Sequence, residues 1–146
     1  MAKEIENAFL PSHISLAPYM PEGMYLATYL SQKIRIPQRV YPINPWSGPS
    51  GLDESLKGRD VLVVVGQIDD GKEIINLGEQ LMGHDVRSIR IATLVHRDKI
   101  PMDDLYVEFV GFTVRTKKKL VGWGIGTNGN CRYLPHVYAV AKEQYG

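Results

Sequence analysis

The run Asp60-Val61-Leu62-Val63-Val64-Val65-Gly66-Gln67-Ile68-Asp69-Asp70-Gly71-Lys72-Glu73 joins an unbroken β-branched segment to a short acidic, Gly-containing loop and then to the start of a helix. An apolar run without alternation is the pattern of a strand buried on both faces, as in a parallel sheet. Beyond it Ile74, Ile75, Gly78, Leu81 and Met82 recur at helical spacing, and Gly83 is placed to stop that helix. Strand, loop and helix are therefore consecutive. At the carboxyl end of such a strand the loop and the helix amino terminus aim backbone N–H groups at one spot, where ligands with anionic groups bind. The chemistry of the chain is expected at this loop.

Downstream, Ser88-Ile89-Arg90-Ile91-Ala92-Thr93-Leu94-Val95 reads as a further strand leading into a charged loop, His96-Arg97-Asp98-Lys99. A right-handed crossover connects it to the preceding strand. Tyr106-Val107-Glu108-Phe109-Val110-Gly111-Phe112 alternates and predicts another strand. Lys117-Lys118-Lys119 forms a polar turn before Leu120-Val121-Gly122-Trp123, residues 124–130 form a Gly-rich loop, and Val137-Tyr138-Ala139-Val140 is expected to close the sheet. Upstream, residues 3–9 read as a short helical lead-in and His13-Ile14-Ser15-Leu16-Ala17 as a strand. Pro21 and Glu22 suit the first turn of a helix, where proline loses no hydrogen bond and an acid complements the dipole. Gly23, Leu26, Ala27, Leu30 and Ile34 continue it, and Pro37 ends it. Arg39-Val40-Tyr41-Pro42-Ile43 predicts a strand at a sheet edge, because Pro42 cannot donate to a ladder. Residues 44–51 are loop formers around Trp46, which reads either as a flap or as packing on the domain edge. The predicted fold class is α/β, a mostly parallel central sheet flanked by helices.

Composition agrees. The 146 residues are expected to form a single domain, 1–146, and 44% hydrophobic content supplies a core without staples. Lys+Arg 17 against Asp+Glu 16 leaves a net charge of +1, so neither nucleic acid nor an anionic membrane surface is expected as a partner. The lone Cys131 excludes an intramolecular disulfide and fits a reducing compartment. The Met-Ala-Lys-Glu-Ile-Glu start has no apolar signal segment, and no run reaches the ~18 apolar residues of a membrane span. A cytoplasmic location is the expectation. His13, His84, His96 and His136 lie on separate elements without metal-ligand spacing, so no metal site is predicted.

Several phrases taken together resemble the type I phosphoribosyltransferases, in particular the hypoxanthine-guanine (purine) branch. The similarity is strongest over residues 58–140. In that family an apolar strand runs into two acidic residues, two apolar ones and then Asp-Thr-Gly-x-Thr, and the run from Val61 to Glu73 occupies this register. Ser-Ile-Arg-Ile-Ala-Thr-Leu at 88–94, Tyr-Val-Glu-Phe-Val-Gly-Phe at 106–112, Leu-Val-Gly-Trp-Gly-Ile at 120–125 and Arg-Tyr-Leu-Pro at 132–135 continue the likeness. The resemblance implies a mostly parallel sheet flanked by helices and a homo-oligomer, dimer or tetramer. It also implies transfer of ribose 5-phosphate from phosphoribosyl pyrophosphate to a purine nitrogen, with Mg2+ if active. The ligand would be nucleotide-like or a phosphorylated small molecule.

Residue by residue, Asp69 keeps the carboxylate that would exchange a proton with the base, and Gly71 keeps the loop glycine. Gly66, Gln67, Asp70, Gly71, Lys72 and Glu73 occupy the ligand-binding loop. Of these, Gly66 follows Val65 where the family has its acidic pair, and Asp70 and Glu73 replace the two threonines. Near the pyrophosphate loop stands Met20-Pro21-Glu22-Gly23, in which only Gly23 fits. For the base pocket, His96 falls near the base-reading lysine with Arg97 beside it, Lys119 takes the place of a stacking aromatic, Leu120 follows, and Trp123 or the flap residue Trp46 offers a stacking surface. Gly126 stands where the branch has a magnesium-binding aspartate.

Losing hydrogen bonds to a charged pair costs ~3–6 kcal/mol, two to four decades of affinity. A carboxylate about 4 Å from a phosphate charge adds ~4 kcal/mol of repulsion at an effective dielectric near 20. Lys72 offsets part of that if it turns inward, and otherwise is a solvated helix residue. Two functions follow from the resemblance. One is a phosphoribosyltransferase-fold protein whose altered donor site serves another ligand; the other is an active purine-salvage enzyme with Asp69 as its acid–base group.

Overall fold

The computed structural model describes residues 1–97, 106–126 and 129–141. Five strands form one sheet in the order β2-β1-β3-β4-β5, every neighbouring pair parallel: β1 Ile14–Pro18, β2 Gln38–Val40, β3 Asp60–Ile68, β4 Ser88–Arg97 and β5 Phe109–Val114. β3 lies at the centre, with Val61 opposite Ser15 on one side and Ile89 on the other. All of Val61–Val65 is buried, as a strand covered on both faces requires. Helices α1 (Ala2–Phe9) and α2 (Gly23–Lys33) cover one face, where Ile5, Phe9, Leu26 and Leu30 pack on Leu16, Leu62 and Val64. Helix α3 (Lys72–Gly83) covers the other with Ile74, Leu77 and Leu81 against Val61, Val63 and Val65. Both layers are held by apolar burial worth ~25 cal/mol per Å². Among the described residues no helix is long and apolar enough to cross a membrane.

Helix α2 begins where it does because residue 23 has no side chain. A Cβ there would lie 2.0 Å from the Val64 carbonyl oxygen, so only glycine lets the helix start against the backbone of β3. β2 is an edge strand as expected, but it covers Gln38–Val40 rather than residues 39–43, although the Tyr41 and Ile43 amides still donate to Leu16 and Pro18 on either side of Pro42.

Other boundaries also differ from the sequence reading. β4 runs through His96 and Arg97, which the charge pattern placed in a loop; both pair with β5, opposite Thr113 and Val114. β5 starts at Phe109 rather than Tyr106, its first partner being Ala92. Tyr138–Val140 (β7) does not close the main sheet. It pairs antiparallel with Lys119–Val121 (β6) in a separate two-stranded sheet, because the backbone leaves β6 through a turn with Gly122 at φ 107°. The charged segment 98–105, the pair 127–128 and residues 142–146 lie outside the described residues, including Asp98 and Lys99 of the expected charged loop.

From β1 the chain steps outward through α2 to β2, and from there to β3 on the opposite side of β1. In an open parallel sheet a crevice forms at this reversal, beyond the carboxyl ends of the two strands.

Candidate functional site

A crevice of about 1000 Å³ opens there. One wall is the segment after β1, Tyr19 to Glu22; the floor is the end of β3 and its loop, Val65 to Gly71; α3 contributes Glu73 and Asn76, the 44–46 turn contributes Trp46, and the Gly-rich segment contributes Gly129 and Arg132. Trp46 is 82% exposed at the rim of the crevice.

The floor is shaped by its backbone. Gly71 takes φ 75°, the left-handed conformation that turns the strand-end loop into α3, and its carbonyl accepts the first helical bond from Ile75. The loop amide that follows is already engaged: Asp70 Oδ1 accepts from the Lys72 N–H at 3.1 Å. A side-chain carboxylate thus takes a donor that a bound anion would otherwise use. Asp69 points its carboxylate to Arg97, Oδ1 to Nε 2.5 Å, an ion pair off the axis of a hydrogen bond. Arg97 also donates to the carbonyls of Thr116 and Lys118, at 2.8 and 3.0 Å, tying the end of β4 to the turn before β6.

Across the floor, Glu22 lies directly over Gly66. A Cβ at residue 66 would stand 2.7 Å from the Glu22 Cβ, so glycine at the strand end is what admits the Glu22 segment. Glu22 Oε1 is 3.4 Å from Arg132 Nη1, which also donates to the Gly124 carbonyl at 3.0 Å. Burial pushes the Glu22 carboxyl above its usual range, against the opposing pull of Arg132 and a Gly126 N–H, and Asp69 pushes the same way as burial. Burial, with the Glu73 carboxylate nearby, likewise raises the Tyr19 phenol. Four carboxylates, Glu22, Asp69, Asp70 and Glu73, and one cation, Arg132, are found among the described residues lining the crevice.

Of the residues singled out from sequence, Gly66, Gln67, Asp69, Asp70, Gly71, Glu73 and Trp46 come together around this space. Lys72 is exposed and outside the lining. The base-pocket candidates sit elsewhere. Leu120 is in the core beside α2, Trp123 packs its indole against Tyr25 and Tyr29 at 6.4 and 6.0 Å, Lys119 pairs with Val140, and His96 is buried between Ile68 and Thr113. None of them lines the crevice, and neither does Arg97, which reaches it only through Asp69. Sequence reasoning set the Met20-Pro21-Glu22-Gly23 segment against the pyrophosphate loop but did not single out Glu22, Tyr19 or Arg132 as site residues. The signals were present in the Met20-Pro21-Glu22-Gly23 segment and in Arg132-Tyr133-Leu134-Pro135, but their convergence is a property of the tertiary structure. Among the described residues no group of His, Cys, Asp and Glu is arranged to hold a metal ion.

No family model matches the chain. The hypoxanthine phosphoribosyltransferase of Salmonella typhimurium strain LT2 is 37% identical over 86 residues, 59% of this chain and 48% of that protein. The hypoxanthine-guanine phosphoribosyltransferase of Streptococcus pneumoniae strain R6 is 29% identical over 136 residues, 93% of this chain and 68% of that protein. In structure, a hypoxanthine-guanine phosphoribosyltransferase from Bacillus anthracis superposes with TM-score 0.85 and 23% identity over 96% of this chain and 89% of its own. A hypoxanthine-guanine-xanthine phosphoribosyltransferase superposes with TM-score 0.87 and 22% identity over 99% and 87%. The chain is a relative of the purine-branch type I phosphoribosyltransferases. Its parallel five-stranded sheet, flanked by helices, is the phosphoribosyltransferase fold. The match spans about half the length of the Salmonella phosphoribosyltransferase.

Proposed function

We propose that this phosphoribosyltransferase-fold protein binds a nucleoside- or nucleobase-like small molecule in the crevice and does not use phosphoribosyl pyrophosphate as a donor. The observation that carries this reading is the Asp70 carboxylate on the Lys72 N–H, in the loop whose amides would have to receive a phosphate. Three further carboxylates line the same space: Asp69, paired with Arg97, Glu22, paired with Arg132, and Glu73. Each carboxylate within about 4 Å of a phosphate costs ~4 kcal/mol at an effective dielectric near 20, and about 1 kcal/mol where water screens it fully. An uncharged ring escapes that repulsion and has Trp46 and Tyr19 to lie against.

Titration calorimetry with phosphoribosyl pyrophosphate, with and without magnesium, tests it. The expected result is no saturable heat, and no pyrophosphate release when hypoxanthine, guanine or xanthine is added. Micromolar binding, or turnover with any of the three bases, overturns the proposal. The second reading, an active purine-salvage enzyme requiring Mg2+, draws support from Gly71 in its left-handed turn and Asp69 at the crevice floor. Under that reading Asp69→Asn slows pyrophosphate release, by ~10²–10⁴ if the carboxylate supplies general acid–base catalysis.

A further inference from the structure

The Glu22–Arg132 contact spans 110 residues of chain. Its surroundings are built around it. Gly66 leaves the space into which Glu22 descends. Gly124 admits the Tyr25 ring, 2.8 Å from where its Cβ would stand, and beside it the Glu22 carbonyl oxygen at 3.0 Å. Gly126 lets the Arg132 side chain lie flat, for a Cβ at 126 would be 2.7 Å from Arg132 Cγ. Arg132 is anchored from behind by the Gly124 carbonyl at 3.0 Å, so its guanidinium is fixed in direction whether or not Glu22 is charged. The side chains of Glu22 and Arg132 are 26% and 23% exposed, enough to reach the crevice and too little for water to screen them fully.

We infer that Glu22 is a specificity gate: its carboxylate, held against Arg132 by a residue whose Cβ and backbone sit over Gly66, occupies the place of an anionic ligand and restricts the crevice to small molecules without a phosphate or carboxylate group. The inference rests on the reading of this crevice as the binding site, and it names the residue that enforces the ligand class. An anion approaching Arg132 meets a guanidinium whose charge is already matched and a carboxylate that repels it. Glu22→Gln keeps the shape and the hydrogen-bonding capacity of the side chain and removes the charge, which leaves Arg132 as a preset anion receptor.

The test is a thermal-shift titration with inorganic pyrophosphate, and separately with inorganic phosphate, in magnesium-free buffer. Wild type, Glu22→Gln and the double variant Glu22→Gln/Arg132→Gln are compared, each first melted without ligand to record its own baseline. Wild type is expected to give no anion-dependent shift, Glu22→Gln to bind pyrophosphate at least tenfold tighter (about 1.4 kcal/mol), and the double variant to lose that gain. A merely structural Glu22 changes the ligand-free melt and leaves the anion titration flat, which overturns the inference. So does a gain that survives in the double variant, because the anion then sits away from Arg132. Wild-type binding of phosphoribosyl pyrophosphate in the calorimeter is a separate failure, that of the proposed function, whereas a flat Glu22→Gln titration with a silent wild type defeats the gate alone.

Discussion

Gly66 and Glu22 are predicted to be energetically coupled through a single methyl group. In Gly66→Ala the new Cβ would stand 2.7 Å from the Glu22 Cβ and 3.2 Å from the Glu22 carbonyl oxygen. Carbon pairs settle at about 3.5–4.0 Å, so the shorter contact is roughly 1 Å too close. Neither atom is the tip of a flexible side chain, and Glu22 directly precedes Gly23, itself pressed on the Val64 carbonyl. Overpacking of this kind costs ~1–3 kcal/mol, offset by about 0.5–1 kcal/mol that alanine gains over glycine inside a strand. A net loss of ~1–2 kcal/mol lowers Tm by about 3–8 °C in a domain of this size. The cause can be isolated. Glu22→Gly removes the offending Cβ and leaves only the 3.2 and 3.3 Å approaches to the residue 22 carbonyl, so Gly66→Ala made in that background should cost less than about 1 kcal/mol, whereas Glu22→Ala retains the Cβ and should give no relief. Urea denaturation followed by far-ultraviolet circular dichroism supplies the three free-energy differences. An equal cost of Gly66→Ala in all three backgrounds, or equal relief by Glu22→Ala and Glu22→Gly, would refute the argument.

Gly23→Ala should be far worse, since its Cβ would fall 2.0 Å from a backbone carbonyl of the central strand; a loss of ~3 kcal/mol or more is expected, with Tm down by about 6–12 °C, and a melt within about 2 °C of wild type would contradict the packing of α2 on β3. The buried Glu22 carboxyl titrates above its usual range, first because of burial and against the pull of Arg132. Its protonated form therefore favours the folded state: the contribution is complete below the unfolded value near 4.3 and is lost as pH rises through the folded one. Glu22→Gln should accordingly gain in stability over wild type as pH rises from about 4 to 8, read as the difference between two series of thermal melts, and a gap that shrinks with rising pH would contradict the burial of this carboxyl.

Most of the scaffold could be read locally. Val61 to Val65 announce a two-sided buried strand because every one of them is apolar, and the start of α2 is marked by Pro21 and Glu22. His96 and Arg97 misled because polar side chains signal a loop, yet both lie inside β4, where β5 supplies the backbone partners and Arg97 finds Asp69 and two carbonyls. Tyr138–Val140 misled in another way: an apolar segment declares that it pairs, but its partner β6 could not be told from β5 without the turn at Gly122. In the site, the Asp69-Asp70-Gly71 loop was legible because its residues are adjacent in sequence. Glu22 and Arg132 were not, because no short-range pattern encodes a contact between residues 110 apart.

The apolar interior is divided between the two faces of the sheet, and the charged side chains of the crevice belong to neither cluster. Asp70 and Glu73 are exposed at the mouth, whereas Glu22 is tied to the central strand through Gly66: exchanges at the first two should leave Leu16, Leu62 and Val63 holding the strands in register. An engineer wishing to retarget this scaffold would regraft its rim and leave the interior untouched.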